Sequence, residues 1–571
     1  MPDRITVSVI QHRFVAIVAE MGEAMLRTAY SQILNSSRDF STALCDGAGR
    51  LVAQAEHVPI HVGALPWAVR SVREAFEGRI RPGDLFLLND PYHGGNHLPD
   101  LTVLLPVFAR KRLAFWSINR AHQSDIGGST HGAYNPGATE IWQEGLRIPP
   151  LRLYDAGEVR DDVMRMIATN VRHSRDFLGD LRASIGSARL GERRLGRLLA
   201  EYGAGVVAAA VDEILDGTGR QARACLRTWA DGVYRGEAVL DDDGHGTSDI
   251  AIRATVTKAG DGLTVDLTDS APQVTGFVNS SYPNTMSAVF MALAYLLDPE
   301  IPKNDGTFRP VTVKAKPGTI VWPNPPAPVT LATNHCGQEI GEAVIKALAA
   351  ACPDRAIAGW SRRFRIAIRG VDPRTARPFI WHLFHARGGG GASAVGDGWP
   401  TAGEGQAAGG IKFGSVEVTE VRFPLMLAHH EFRPDSGGRG KFRGGVGSVL
   451  EMQMRTAEAG VANTAGDGVR HAPYGLFGGR DGAPHRYRLV SRGRTRVLAT
   501  KSVGIPVSPG DVFLIESAGG GGYGDPRDRD PDAIAADLAD GMVTPPRARP
   551  TAAARAAPRR KRRSGRVSPR R

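Results

Sequence analysis

The stretch "NDPYHGGNHLPDLTV" (residues 89–103) decides how this chain is read. The apolar run "DLFLL" stops at Asn89-Asp90-Pro91, two glycines follow, and His97 and Asp100 then flank Leu98-Pro99 ahead of a second apolar run. Pro99 and the glycines exclude a regular helix, so His97 and Asp100 lie on a cramped loop that enters a strand. An imidazole and a carboxylate three residues apart are both good ligands for a divalent metal.

Working outward, residues 10–34 predict an amphipathic helix, with Phe14, Ile17, Val18, Met21 and Met25 at helical spacing. Two strand-like pieces around a Gly turn follow in "NSSRDFSTALCDGAGRLVAQ", then a helix over 65–76. "DLFLLND", "LTVLLPVFA" and "LAFWSINRAH" predict three buried strands. From Asp161 to Tyr202 the pattern is helical, with a break or kink expected near Gly179 and Gly186. Beyond about residue 230, "DIAIRATVTKAGDGLTVDLTDS" alternates across a Gly-Asp-Gly turn as a hairpin does. "NTMSAVFMALAYLL" and "QEIGEAVIKALAAA" predict two more helices, and the rest is largely β with Gly-rich loops up to "SAGGGGYGDP". The expected fold class is α+β and multi-domain: a mixed α/β metal-binding region over 1–205, a strand- and Gly-rich region over 206–544, and a disordered basic tail over 545–571.

Charge supports that last boundary. Of the net +12, eleven positive charges fall in Pro545–Arg571, which has no acid, so the rest of the chain is near +1. A body this neutral argues against a nucleic-acid partner, and the tail reads as a solvated appendage. Four scattered cysteines (Cys45, Cys225, Cys336, Cys352) support neither a disulfide framework nor a cysteine zinc site. No signal-peptide core or run of eighteen apolar residues is visible, so a soluble, cytoplasmic protein is expected.

Three segment ends have the chemistry to join the opening motif. Asp39 follows the first helix, His122 ends the strand "LAFWSINRA", and His97 and Asp100 enter "LTVLLPVFA". Two imidazoles and two carboxylates suit Zn²⁺, Mn²⁺ or Fe²⁺, and an open position would make such a site catalytic. Taken singly, each reads equally well as a hydrogen-bonded loop residue. Asp125, in "HQSDIGG", is a fifth ligand, an orienting carboxylate, a base on bound water, or a turn residue. Glu140 and Glu144 are weaker candidates of the same kind, and such acids are more often solvated helix-face residues. Ser436 in "PDSGGRG" imitates a protease nucleophile but reads as a turn residue. "RGGGGA" and "SAGGGGYGDP" imitate phosphate loops, yet no GxxxxGK[ST] occurs; they line a site or pack against another backbone.

"HVPIHVGALPWAV", "GDLFLLNDPYHGGNHLPDLTVLLPVF", "NRAHQSDIGG", "NVRHSRDFLGDLRASIGSARLG", "DSGGRGKFRGGVG" and "GGGGYGDPRDRDP" together resemble the hydantoinase B/oxoprolinase family, in order from about residue 5 to 545. The resemblance implies a partner A subunit with an ATPase fold that phosphorylates the substrate, and a B subunit whose metal completes the reaction. It carries the metal-ligand roles onto Asp39, His97, Asp100 and His122. One departure stands out: many relatives have a Pro-Gly-Ser segment after "DIGG", where this chain reads "STHGAYNPGATE". That loop is expected to border the substrate.

The expected function is therefore that of a B subunit in an ATP-dependent cyclic amidase. Its divalent metal, Zn²⁺ or Mn²⁺, would activate water against a hydantoin or lactam, with Asp125 handling the proton and ATP used through the A-type subunit. Gly-rich backbone would offer N–H groups to the phosphate or oxyanion. The rivals are a component of an acetone-type carboxylase and a non-catalytic scaffold for the A subunit.

Overall fold

Seven antiparallel strands form the sheet that carries the opening motif. They are β1 (Phe40–Asp46), β2 (Leu51–Glu56), β3 (Leu85–Leu88), β4 (Asp100–Ala109), β5 (Arg112–His122), β6 (Leu151–Asp155) and β7 (Glu158–Val159), in the spatial order β2-β1-β5-β4-β3-β6-β7. The computed structural model describes residues 2–407 and 409–545, so the expected tail beyond 545 lies outside the described residues. Register fixes what meets at the sheet's end. Asp100 pairs with His122 across β4 and β5, and Phe40 pairs with Ala121 across β1 and β5. The first residue of β4, the last of β5 and the residue before β1 are thereby neighbours.

The helix Arg4–Thr28 starts where Asp3 accepts hydrogen bonds from the Ile5 and Thr6 amides. It buries Phe14, Val18, Met21 and Met25, and packs on the helix Ser174–Tyr202. By length and apolar composition it is long enough to cross a membrane, but its buried stripe belongs to the core. The expected kink near Gly179 and Gly186 is absent: the helix runs unbroken from Ser174 to Tyr202, and the break falls at 170–173 after the helix Asp161–Thr169. Gly179 is small for a packing reason, since a Cβ there would lie 2.5 Å from the Tyr30 ring.

β8 (Gly232–Asp242), β9 (Ser248–Ala259) and β10 (Gly262–Asp266) form a meander containing the expected hairpin, and β11 (Val311–Lys314) adds in parallel beside β10. The helix Gly337–Leu348 covers this sheet so closely that a Cβ on Gly236 would sit 2.1 Å from the Ala343 carbonyl. Two further sheets follow. One joins β12 (Phe364–Asp372) and β13 (Arg377–His382) to Gly460–Gly466 and Lys501–Val507; the other joins Leu425–Phe432, Ser448–Met454, Val512–Glu516, Arg486–Ser491 and Arg494–Val497. Ile366, Ile368, Trp381, Leu450, Met452, Phe513 and Ile515 make their shared core.

The glycine runs hold the C-terminal region together backbone to backbone. Gly389 donates to Ala518, Gly445 to Gly390, Gly520 to Gly445, Gly438 to Gly520, Gly521 to Gly359 and Gly522 to Arg480. A Cβ on Gly389 would fall 1.8 Å from the Gly445 oxygen, and one on Gly520 would fall 1.9 Å from the Gly390 oxygen. Of the two readings of these runs, close packing is the one observed. Their amides are consumed by carbonyls, so these glycines do not offer N–H groups to a phosphate or oxyanion.

Candidate metal centre

The loop before β4 is fixed first by Asn89, which donates to the Leu98 and Leu146 carbonyls and accepts from the Ile148 amide. Gly94 has φ +96°, and a Cβ there would strike the Trp67 carbonyl at 2.7 Å, so only glycine fits the bend. Buried Arg120 on β5 clamps the loop from below, donating to Asn96 (2.6 Å), Thr102 (2.8 Å) and the His61 carbonyl (3.0 Å).

This scaffold brings His97, Asp100 and His122 together, all buried, with ligand atoms within 4.8 Å of one another. His97 Nε2 lies 2.9 Å and His122 Nδ1 3.1 Å from Asp100 Oδ1. Asp39 approaches through a residue that the sequence reading passed over. His61, on the short helix Pro59–Ala64, places Nε2 3.3 Å from Asp100 Oδ2 and 3.7 Å from Asp39 Oδ1. The Asp39 carbonyl also accepts the His122 amide at 3.0 Å. His61 stood in plain view in "HVPIHVG", but its only signal was a histidine inside an apolar stretch.

Electrostatics make this pocket unusual. Burial opposes the Asp100 charge, but the imidazoles of His61 and His97 and hydrogen bonds from His122 and His97 outweigh it, holding the carboxyl well below its usual range. Burial pushes His122 down to about 4, against the pull of Asp39 and Asp100, so it is neutral at pH 7. His97 Nδ1 is 2.5 Å from the Thr330 carbonyl, which can only accept, so Nδ1 carries the proton. His97 Nε2 then faces Asp100 Oδ1 at 2.9 Å. Asp100 Oδ2 and His122 Nε2 are buried and have no hydrogen-bond partner. A cation among these atoms would satisfy all of them, and an N/O donor set suits Zn²⁺ or Mn²⁺.

Outer residues hold this arrangement. Glu144, expected on a solvated face, is instead buried, and its two oxygens accept from the Val329 and Thr330 amides (3.0 and 2.7 Å). It thereby fixes the carbonyl that orients His97. Burial pushes its carboxyl up to about 7, against those hydrogen bonds. Tyr134, from the divergent "STHGAYNPGATE" loop, stacks on His122 with ring centroids 5.6 Å apart. Asp125 is placed differently. Its oxygens accept from the Arg172 amide (2.8 Å), Arg172 Nη1 (3.0 Å) and the Gly127 amide (3.2 Å), and among the described residues no hydrogen bond or ion pair joins it to the cluster. Glu140 is half-buried ahead of a short turn. Ser436 is buried, bonded to the Arg433 carbonyl and the Gly447 amide.

A second trio, His335, Glu339 and Asp467, has similar spacing but another character. Arg362 lies 3.2 Å from Glu339, 2.9 Å from Glu342 and 2.9 Å from Asp467, and Lys501 lies 3.4 Å from Asp467. Protein cations already neutralise these carboxylates, so this is a buried ion-pair network.

Comparison with known proteins extends the picture. A family model for Hydantoinase B/oxoprolinase matches residues 3–526. The chain is 35% identical to the beta component of the caprolactamase of Pseudomonas jessenii, over 95% of this chain and 94% of that one. The solved ATP-dependent caprolactamase from the same organism superposes with a TM-score of 0.90 at 34% identity, covering 95% of each chain. The B component of a putative D-/L-hydantoinase from Pseudomonas sp. (strain NS671) is 30% identical, over 95% of this chain and 93% of that one. Acetone carboxylase in its nucleotide-free form shares the fold, with a TM-score of 0.86 at 21% identity over 95% of this chain and 78% of that one.

Proposed function

Since the chain belongs to the hydantoinase B/oxoprolinase family, we propose that it is the metal-bearing subunit of an ATP-dependent cyclic amidase. Its substrate is a lactam or hydantoin ring that an A-type partner subunit has phosphorylated. One observation carries this reading: a buried carboxylate faces three imidazoles, while two cluster atoms lack a hydrogen-bond partner.

Asp39, His97, Asp100 and His122 would hold a divalent ion, Zn²⁺ or Mn²⁺, which when bound supplies Lewis acidity and a water of lowered pKa. The protein's own task is orientation. The Thr330 carbonyl fixes the His97 tautomer, and Glu144 fixes that carbonyl. His61 spans the two carboxylates, with its backbone locked by Arg120. Tyr134 closes one side of the His122 ring against water. Asp125, with both oxygens engaged, is a positioning residue that ties the 125–128 turn to Arg172.

Activation must come from elsewhere. An amide carbon is a poor electrophile, the chain has no Walker-type loop, and most amides of its glycine runs are bonded to backbone carbonyls. The relatives' names, as the beta and B components of their enzymes, fit that division. The test is ring opening of caprolactam and of a hydantoin by the chain alone, by the A-type subunit alone, and by both with ATP. Turnover is expected only with both subunits and ATP. Ring opening by the single chain without ATP would refute the two-subunit mechanism. Asp125→Asn should lower kcat yet keep the pH profile, and loss of one pH limb would return Asp125 to the role of base.

A further inference from the structure

We propose that Arg363, Arg365 and Arg387 form an oxyanion site beside the metal centre, shaped to receive the phosphoryl group of the activated substrate. This rests on the two-subunit reading above, but a separate set of observations carries it.

Arg363 and Arg365 flank Phe364 at the start of β12, so they share one face of the strand. Arg363 is 3% exposed and makes no side-chain hydrogen bond among the described residues. Its Nε and Nη2 lack partners, Nη1 stops 3.8 Å short of Glu404, and the guanidinium lies 4.7 Å over the Phe384 ring. Arg365 is 2% exposed and lies 4.0 Å over Tyr134, the ring stacked on His122. Its Nη2 donates to His382 Nδ1 at 3.0 Å, and its Nε has no partner. Arg387 pairs with Glu404 at 2.9 Å and also leaves Nε unpartnered.

Burying a guanidinium with unmade hydrogen bonds is costly, and proteins ordinarily avoid it. This fold shows the ordinary solution nearby, where Arg362 and Lys501 have carboxylates within 3.5 Å. Arg363 and Arg387 share one carboxylate, Glu404, and Arg365 makes no ion pair among the described residues, which leaves two positive charges over. A divalent ion would balance Asp39 and Asp100, so that excess matches a phosphoryl dianion, and guanidinium forks suit its oxygens. A cleft of about 470 Å³ lies on the far side of His382, the residue that accepts from Arg365, and none of the three arginines lines it.

The same chemistry would bind a substrate-linked phosphoryl group or free inorganic phosphate, and two experiments separate them. The first titrates inorganic phosphate into the metal-loaded full chain by calorimetry at constant ionic strength. Saturable binding is expected, at least ten-fold weaker in Arg363→Met and Arg365→Met with metal content unchanged. Metal bound without saturable phosphate binding in the wild type would overturn this site alone; phosphate bound by a chain that takes no metal would overturn the metal centre instead. The second adds the A-type subunit and ATP and counts rings opened per ATP hydrolysed. Arg363→Met should cut that ratio at least ten-fold while ATP is still consumed. An unchanged ratio would assign the site to released phosphate and overturn the substrate role. Without phosphate, Arg363→Met should melt higher than the wild type, because it removes an unpaired buried charge; a lower melting temperature would mark Arg363 as structural and count against the proposal. If Arg363→Met fails to fold, Arg363→Lys and the wild-type titration decide.

Discussion

Glu144 shows how a residue that touches no candidate ligand can govern the centre. Its two oxygens hold the Val329 and Thr330 amides, and the Thr330 carbonyl sets which nitrogen of His97 keeps the proton. Glu144→Ala frees that peptide and lets the imidazole turn. Residues that orient ligands in this way typically cost roughly 10–100-fold in metal affinity when removed. Competition with a chelator should show a loss of that size, with the protein still folded; an affinity equal to the wild type would mean that the Thr330 carbonyl holds its place unaided. At this scale the sequence was legible where ligand chemistry coincided with strand ends, as at His97, Asp100 and His122. It was silent where the partner is distant in the chain, as for His61 with Asp39, Glu144 with residues 329–330, or Arg365 with Tyr134.

At the scale of elements, periodicity and turn chemistry served well. The β9–β10 hairpin and the helices Tyr282–Leu296 and Gly337–Leu348 lie where alternation and helical spacing put them. Glycine was harder to read, because one residue type serves opposite ends. Gly186 and Gly196 face open space inside the helix Ser174–Tyr202, where the only penalty is glycine's backbone entropy. Gly520 and Gly391 sit where a Cβ would lie 1.9 Å from another segment's carbonyl oxygen. Opposite outcomes follow from the same substitution. Gly186→Ala and Gly196→Ala should each stabilise by about 0.5–1 kcal/mol. Gly520→Ala or Gly391→Ala should cost more than about 4 kcal/mol or prevent soluble expression. Thermal melting checks both, and a mild effect at Gly520 would show that the glycine bundle can part.

For the whole molecule, the buried histidines set the response to acid. Burial is the largest cause lowering His57, His61, His122, His131, His382, His385 and His485, with His122, His131, His385 and His485 at about 4. A histidine whose folded pKa lies below its unfolded value of about 6.5 binds its proton more tightly when unfolded. Its contribution is complete above about pH 6.5 and is lost as pH falls through the window from there to about 4. Each of the four at about 4 is worth about 3 kcal/mol across that window, so two or three match the full stability of an ordinary domain. The melting temperature should be flat from about pH 8 to 7 and fall steeply below about 6.5; a flat profile down to about pH 4.5 would contradict neutral buried imidazoles.

The most direct measurement is the metal content of the full chain, by elemental analysis, beside His97→Ala and His122→Ala variants shown by circular dichroism to be folded. The expected result is about one Zn²⁺ or Mn²⁺ per wild-type chain and almost none in either variant. A wild-type chain that takes up no divalent ion at saturation, or full occupancy in both variants, would contradict a metal centre at Asp100.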